Sequence, residues 1–237
     1  MKVAMLLLAA GRGSRFGGPV PKAFLSLRGQ PLLLHSAERL LQALPAGADC
    51  QLVLMVHPDD RSTHLAACHA RLTTAAAAAG ATLGIVDGGA TRQQSMRNGL
   101  AACVSDVDLV LVHDAARALL PIEATRTCMM EATEHGAALL AIPAPDTMKR
   151  VHQQFVVTTV DRTNLWLAQT PQVIRRDLLI RAFDHASRTG FEGTDDVSLV
   201  EHLGERVVVV PGSVTNLKIT RPEDLPLAEA ILAAGMA

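Results

Sequence analysis

Residues 9–22 read AAGRGSRFGGPVPK, a stretch of small residues, glycines and fixed positive charge. Glycines let successive backbone N–H groups turn toward one anion, and Arg15 and Lys22 add charge from two sides, so the stretch suits a phosphate. Prolines at 19 and 21 stiffen the approach to Lys22 and reduce the entropy lost on closing around a ligand. Two common phosphate loops do not fit. In GxGxxG, Gly11 and Gly13 supply the opening, but Phe16 stands where the third glycine permits close helix packing. In GxxxxGK[ST], Gly13 and Gly18 have the right separation, but Pro19 and Val20 follow in place of the lysine and the metal-binding hydroxyl. A nicotinamide oxidoreductase and a P-loop NTPase are both disfavoured, and a solvated turn with surface charges is the plain alternative.

Further candidates lie downstream. DGGATRQQS at 87–95 pairs two glycines, Gly88 and Gly89, with the hydroxyl of Ser95; its plain reading is a strand-to-helix turn capped by Thr91. VHDAAR at 112–117 ends an apolar run. There Asp114 could position ribose, metal or substrate hydroxyls and Arg117 could meet a phosphate, the plain alternative being a local Asp114–Arg117 ion pair. No HExxH, EF-hand or paired Cys/His spacing marks a dedicated metal site, and no Ser-His-Asp or Cys-His constellation offers a nucleophile. His64 and His69 are five apart, on different faces of an expected helix, and read as ordinary surface or core residues.

The elements that must hold these residues follow an alternating rhythm. Apolar runs at 3–8, 52–56, 82–86, 109–112 and 138–142 read as strands, and 31–44, 59–79, 91–103 and 121–135 as helices between them. That spacing predicts an α/β fold, a Rossmann-like, mostly parallel twisted sheet with helices on both faces. The alanine run 75–79 ends at Gly80 as a helix tail and its cap. After residue 142 the rhythm breaks. Two β-prone pieces, 147–151 and 155–160, flank His-Gln-Gln and predict a β-hairpin arm at about 144–163. A lone two-stranded ribbon is marginal in water, so the pattern favours an arm packing on a second copy over one lying on its own domain. Trp166 is expected to pack the arm's base. Helices at 175–188 and 195–203, a strand at 206–210 and a final helix at 222–234 complete one domain over 1–237.

Composition narrows the function classes. The chain has 237 residues, 49% hydrophobic, with net charge −1. A general nucleic-acid binder would carry a basic excess, and one Trp with no Tyr gives base stacking no support. Cys50, Cys68, Cys103 and Cys128 show no CxxC and read as buried free thiols in a reducing compartment. The apolar start reads as a core strand followed by Gly-Arg-Gly-Ser-Arg rather than a signal peptide, and no apolar run is long enough to span a membrane. The expectation is a soluble, cytoplasmic protein without nucleic-acid or membrane partners.

Taken with residues 9–22, five segments complete a pattern: DGGATRQQSMRNGL at 87–100, VHDAAR at 112–117, PAPDTMKR at 143–150, TVDRTNLWLAQTPQ at 159–172 and NLKITRPEDL at 216–225. Together, in order and from about residue 3 to residue 232, they resemble the methylerythritol phosphate cytidylyltransferase family of nucleotidyltransferases. The resemblance implies attack of a polyol phosphate on the α-phosphorus of CTP, with pyrophosphate leaving. It implies that Arg15, Lys22 and Lys218 are the catalytic cations, and that Ala9, Ala10, Gly11, Gly13, Gly88, Gly89, Ala90, Ser95 and Ala115 hold the nucleotide. It assigns Thr147, Arg162, Asp114, Arg117 and Thr170 to the polyol phosphate, Thr147 and Arg162 reaching a neighbouring subunit's site across a homodimer. Lys149 and Arg150 are secondary candidates. Mg²⁺ is expected with the CTP phosphates, since a few side chains neutralise a triphosphate poorly. Ribitol-5-phosphate cytidylyltransferase shares the loop, the base turn and the late lysine, and a noncatalytic nucleotide-binding regulator is the alternative outside enzymes.

Overall fold

The computed structural model describes residues 1–11, 16 and 18–236. The chain starts on strand β1 (Lys2–Leu8). A two-residue ribbon follows, β2 (Ser26–Leu27) with β3 (Gln30–Pro31), and then helix α1 (Leu32–Gln42) and β4 (Asp49–Val56). Helix α2 (His69–Ala78), β5 (Ala81–Asp87), α3 (Arg92–Ala101), β6 (Leu109–Asp114), α4 (Ile122–His135) and β7 (Ala137–Pro143) continue the alternation. The hairpin β8 (Met148–His152) and β9 (Phe155–Val160) interrupts it before β10 (Trp166–Arg175), α5 (Arg176–Thr189), α6 (Val197–His202), β11 (Val208–Pro211) and α7 (Asp224–Ala233).

The main sheet runs β11-β7-β10-β6-β1-β4-β5, parallel throughout except for β10, which is antiparallel to both β6 and β7. Its parallel strands are largely apolar on both faces because both faces are covered. Along β1, Val3, Met5 and Leu7 enter the layer shared with α1, α2 and α4, while Ala4 and Leu6 face the layer of α3, α5 and α6. Leu6 is fully buried, and truncating it to Ala would cost about 2–5 kcal/mol.

Two expectations are corrected. Residues 59–79 are not one helix: a 3₁₀ turn (Pro58–Asp60) and a π turn (Arg61–Leu65) precede α2. And β10 was not expected as a strand, its sequence reading as the foot of the arm; it is inserted in the sheet between β6 and β7. This strand explains where the arm sits. Strand β7 runs out to Pro143, β10 returns beside it from Trp166, and the two are paired, so the arm is the tip of a long hairpin. That tip lies at the carboxyl end of β7, the same edge where the parallel strands β1 and β6 end. Trp166 stands at the arm's foot but remains 43% exposed.

Candidate active site

Open α/β sheets bind ligands beyond the carboxyl ends of their strands, and the loops leaving β1, β5 and β6 enclose a cavity of about 490 Å³ there. The first loop contributes Ala9, Ala10, Gly11 and Lys22; the turn after β5 contributes Gly89, Ala90, Arg92 and Ser95; Asp114 and Ala116 come from the end of β6, and Lys218 from the segment before α7. A second cavity of about 280 Å³ shares Arg92, Asp114 and Lys218 and adds Arg117 and Thr170. Residues far apart in sequence thus meet because β1 and β6 are paired neighbours, with Leu8 opposite Asp114.

The turn after β5 is built by close approach. A Cβ on Gly88 would lie 2.1 Å from the Ala10 Cβ, and one on Gly89 would lie 2.1 Å from the Gln94 side chain, so neither position admits a larger residue without movement. Thr91 caps α3, its hydroxyl accepting the Gln94 N–H at 3.1 Å. The Ser95 hydroxyl accepts the Gly89 N–H at 2.9 Å and donates to the Thr91 carbonyl at 3.0 Å, which fixes the turn against the helix start.

Opposite charges run across the floor. Lys218 Nζ donates to Asp114 Oδ2 at 2.5 Å. Arg92 lies 3.2–3.3 Å from Asp114 Oδ1 and binds both Asp196 oxygens at 2.6 and 2.7 Å. Burial works to raise the Asp114 carboxyl, but the charges of Arg92 and Lys218 outweigh it and hold the group below the usual carboxylate range. Burial raises Asp196, with Arg92 pulling the other way.

Behind this seam sits His113, fully buried. Its Nε2 lies 3.0 Å from the Arg117 carbonyl, which can only accept, so Nε2 carries the proton. Burial pushes the ring down to about 4, leaving Nδ1 unprotonated, and the Thr170 hydroxyl 3.0 Å away donates to it while accepting the Asp114 N–H at 3.2 Å. The register of β10 against β7 shifts between Ala168 and Gln172, the stretch that contains Thr170. The Arg117 guanidinium donates to the carbonyls of Asn216 (2.6 Å) and Ala168 (3.3 Å), tying the end of β6 to the Lys218 segment and to β10.

Most sequence-derived candidates converge. Ala9, Ala10, Gly11, Lys22, Gly89, Ala90, Ser95, Asp114 and Lys218 line the larger cavity, and Arg117 and Thr170 the smaller. Gly88 sits just behind the wall, against Ala10. Ala115 is buried away from both linings, its N–H on the Leu8 carbonyl and its own carbonyl accepting from Ser36; its neighbour Ala116 reaches the wall instead. Gly13 and Arg15 lie outside the described residues. Thr147 is exposed at the arm's root, and Arg162 there donates to the carbonyls of Ala144 (3.4 Å) and Pro145; neither lines either cavity. The plain alternative, a local Asp114–Arg117 ion pair, does not form: Asp114 pairs with Lys218 and Arg92. Sequence reasoning missed Arg92, Asp196 and His113. Arg92 stood inside a quoted motif, one residue past the helix cap, but its partner Asp196 is 104 positions away.

Comparison with known proteins follows the same lines. The family model for 2-C-methyl-D-erythritol 4-phosphate cytidylyltransferase matches residues 3–234. A curated relative of that name from Geobacillus kaustophilus is 40% identical over 238 residues, covering all of both chains. Another, from Pelotomaculum thermopropionicum, is 41% identical over 235 residues, covering 98% of this chain and 95% of its own. Among solved structures, the 2-C-methyl-D-erythritol 4-phosphate cytidylyltransferase of Thermus thermophilus is 34% identical with a TM-score of 0.74, covering 98% of this chain and 100% of that one. The 4-diphosphocytidyl-2C-methyl-D-erythritol synthase of Anaerococcus prevotii is 25% identical with a TM-score of 0.80, covering 98% of each chain.

Proposed function

The chain belongs to the 2-C-methyl-D-erythritol 4-phosphate cytidylyltransferase family, and from that premise we propose how its own residues carry out the transfer of CMP from CTP to that polyol phosphate. The products are 4-diphosphocytidyl-2-C-methyl-D-erythritol and pyrophosphate, in isoprenoid precursor biosynthesis. A phosphate oxygen of the acceptor attacks the α-phosphorus of CTP and pyrophosphate departs. The nucleophile is already ionised, so the enzyme's task is to align two anions and neutralise the charge that builds between them. The observation that carries this assignment is the meeting of Lys22 and Lys218 on one cavity wall with the Gly89–Ser95 turn.

In this reading the triphosphate lies against Ala9, Ala10 and Gly11, with Lys22 and Lys218 around its phosphates, and Arg15 is the further cation that the resemblance implies. The base lies against Gly89, Ala90 and Ser95, where the backbone offers hydrogen-bonding edges. The polyol phosphate occupies the smaller cavity between Asp114 and Thr170. Asp114 is the one carboxylate among the described residues of the larger cavity's wall, and Lys218 and Arg92 already engage it. That setting suits Mg²⁺ arriving on the triphosphate, completed by water, where it would offset charge on the phosphate oxygens. The working unit is a homodimer in the cytoplasm, in which the arm carries Arg162 and Thr147 to the partner's acceptor. Two features support it: the arm is rooted at the ligand edge, and Phe155, Val156 and Val157 on it stand exposed. Among the described residues no helix is long and apolar enough to cross a membrane.

The test is incubation with CTP, Mg²⁺ and either 2-C-methyl-D-erythritol 4-phosphate or ribitol 5-phosphate, following pyrophosphate. Release with the first alone is expected. Release with ribitol 5-phosphate alone, or CTP binding without turnover of either, would overturn the assignment.

A further inference from the structure

Among the described residues, Asp114 has two cations in contact, one on each oxygen, and they are held very differently. Lys218 reaches Oδ2 through a single contact at the end of a flexible chain. Arg92 touches Oδ1 with a guanidinium that is itself clamped in bidentate fashion by Asp196, whose side chain is 1% exposed. That carboxylate is held in turn. The backbone N–H groups of Asp196 and Val197 both donate to Gln172 Oε1, at 2.9 and 3.0 Å, and Gln172 Nε2 donates to Asp195 at 2.8 Å. Arg92 is therefore anchored from β10 and the start of α6, while the 37% exposed Lys218 side chain has Asp114 as its one hydrogen-bond or ion-pair partner among the described residues. We propose that Arg92 is a positioning residue: it keeps the Asp114 charge compensated while Lys218 turns from that carboxylate to the phosphates of the bound nucleotide.

The physical reason is the cost of an orphaned charge. The Asp114 side chain is 11% exposed, and a buried carboxylate whose only cation leaves is strongly destabilised. Without Arg92, every movement of Lys218 toward phosphate would be opposed by that penalty, and the lysine would stay on its aspartate. With Arg92 fixed on the other oxygen, the penalty shrinks and the lysine becomes available. Among the described residues, the charges acting on Asp114 are those of Arg92, Lys218 and Arg117 and, with opposite effect, Asp196, with neutral His113 behind it. Arg117 acts at longer range, its two terminal nitrogens each donating to a carbonyl oxygen. The inference rests on the reading of the larger cavity as a nucleoside triphosphate site.

Calorimetric titration of the full chain with CTP and Mg²⁺ tests both levels. Arg92→Gln is expected to weaken CTP by roughly tenfold or more, and Arg92→Lys by less than about threefold. Asp196→Asn, which keeps the arginine's charge, should lower the melting temperature yet move CTP affinity by less than about threefold. The deciding measurement is Asp114→Asn made in two backgrounds. Deleting the carboxylate releases Lys218, so it should restore CTP binding much more in Arg92→Gln than in the wild type. Equal gains in both backgrounds would reduce Arg92 to one more charge in the cavity's field and overturn the proposal, as would Arg92→Gln binding CTP like the wild type. Should Arg92→Gln fail to fold, Arg92→Gln/Asp196→Asn leaves no uncompensated carboxylate at 196 and carries the same comparison. A wild-type protein that does not bind CTP would overturn the underlying reading and the proposal with it, a result distinct from any variant's behaviour.

Discussion

The charged seam and the arm share one edge of the sheet and are stabilised in opposite ways. In the seam, Asp114, Arg92, Asp196 and Lys218 are held by one another and by Gln172, and Asp196 and Gln172 are almost wholly out of water. In the arm, β8 and β9 pair only with each other, and every residue of β8 and all but the last of β9 are exposed, Phe155 by 77%. A satisfied buried network is rigid and expensive to disturb, since each member's removal strands another. A two-stranded ribbon with an apolar tip gains little from its own chain and acquires its worth from whatever covers it. The seam therefore concentrates its contacts within its own chain, while under the proposed function the arm would carry its residues to a second copy.

If that division is right, the largest single effect comes from the seam. Lys218→Ala should lower kcat by about 10²–10³, the loss typical of one preorganised electrostatic donor, while the folded protein and its arm remain unchanged by circular dichroism and sedimentation. A decrease below about tenfold would mean that the wall of the larger cavity does not neutralise the transferring phosphoryl group.

Next in size is the acid lability that the seam's rear wall builds in. His113 has its pKa pushed from 6.5 down to about 4 by burial, with Arg117 and Arg92 acting in the same direction and Asp114 and the Arg117 carbonyl against it. The folded value lies below the unfolded one, so between these limits the unfolded chain binds a proton the folded chain refuses. Stability contributed by neutral His113 is present above about pH 6.5 and is lost as pH falls toward about 4, by about 3 kcal/mol in all. Urea denaturation at pH 7 and pH 4.5 measures it, and His113→Gln should remove most of the difference. An unchanged pH dependence in that variant would place the acid-sensitive group elsewhere.

These two residues also show what the sequence could and could not convey. Lys218 was legible because NLKITRPEDL at 216–225 is one of the segments that carry the family resemblance. His113 was visible only as part of VHDAAR, since its role depends on burial and on Thr170, 57 positions away. The parallel strands announced themselves as short apolar runs, because covering both faces of a sheet demands them. Strand β10 did not: Thr170, Pro171 and two glutamines give it neither an apolar run nor an alternation, and it is a strand because β6 and β7 leave a gap that its backbone fills. The alanine-rich stretch before Gly80 concealed the break near residue 65 for a related reason, alanine favouring helix whatever lies next to it. For the site, single residues in the motifs were readable and their pairings across the sheet were not, which is why Arg92 stood in its motif without its partner Asp196.

From the arm, a smaller catalytic effect with a sharper signature is expected. Arg162→Ala should raise KM for the polyol phosphate by roughly 10- to 100-fold, the range for losing a charge-assisted hydrogen bond, and leave KM for CTP within about threefold. Its carbonyl contacts at Ala144 and Pro145 are all within its own chain, so the test separates two roles. Equal effects on both substrates would make Arg162 a brace for the arm's root rather than a contact to the acceptor.

The smallest effect on the protomer is expected at the arm's tip, and its smallness is the informative part. Phe155 is 77% exposed, so Phe155→Ser should alter the intrinsic stability of one chain by no more than about 0.5 kcal/mol. If the arm packs on a second copy, the same substitution removes a buried aromatic from an interface, and the consequence is a dimer that dissociates at higher concentration. Melting temperature measured across a hundredfold range of protein concentration distinguishes the two, because only association makes it concentration-dependent. Wild type should melt higher as concentration rises, and Phe155→Ser should flatten that dependence while meeting the wild-type curve at its dilute end. A loss of stability that is the same at every concentration would mean that the arm's apolar tip lies on its own domain, and the contrast between a self-contained seam and an exported arm would collapse.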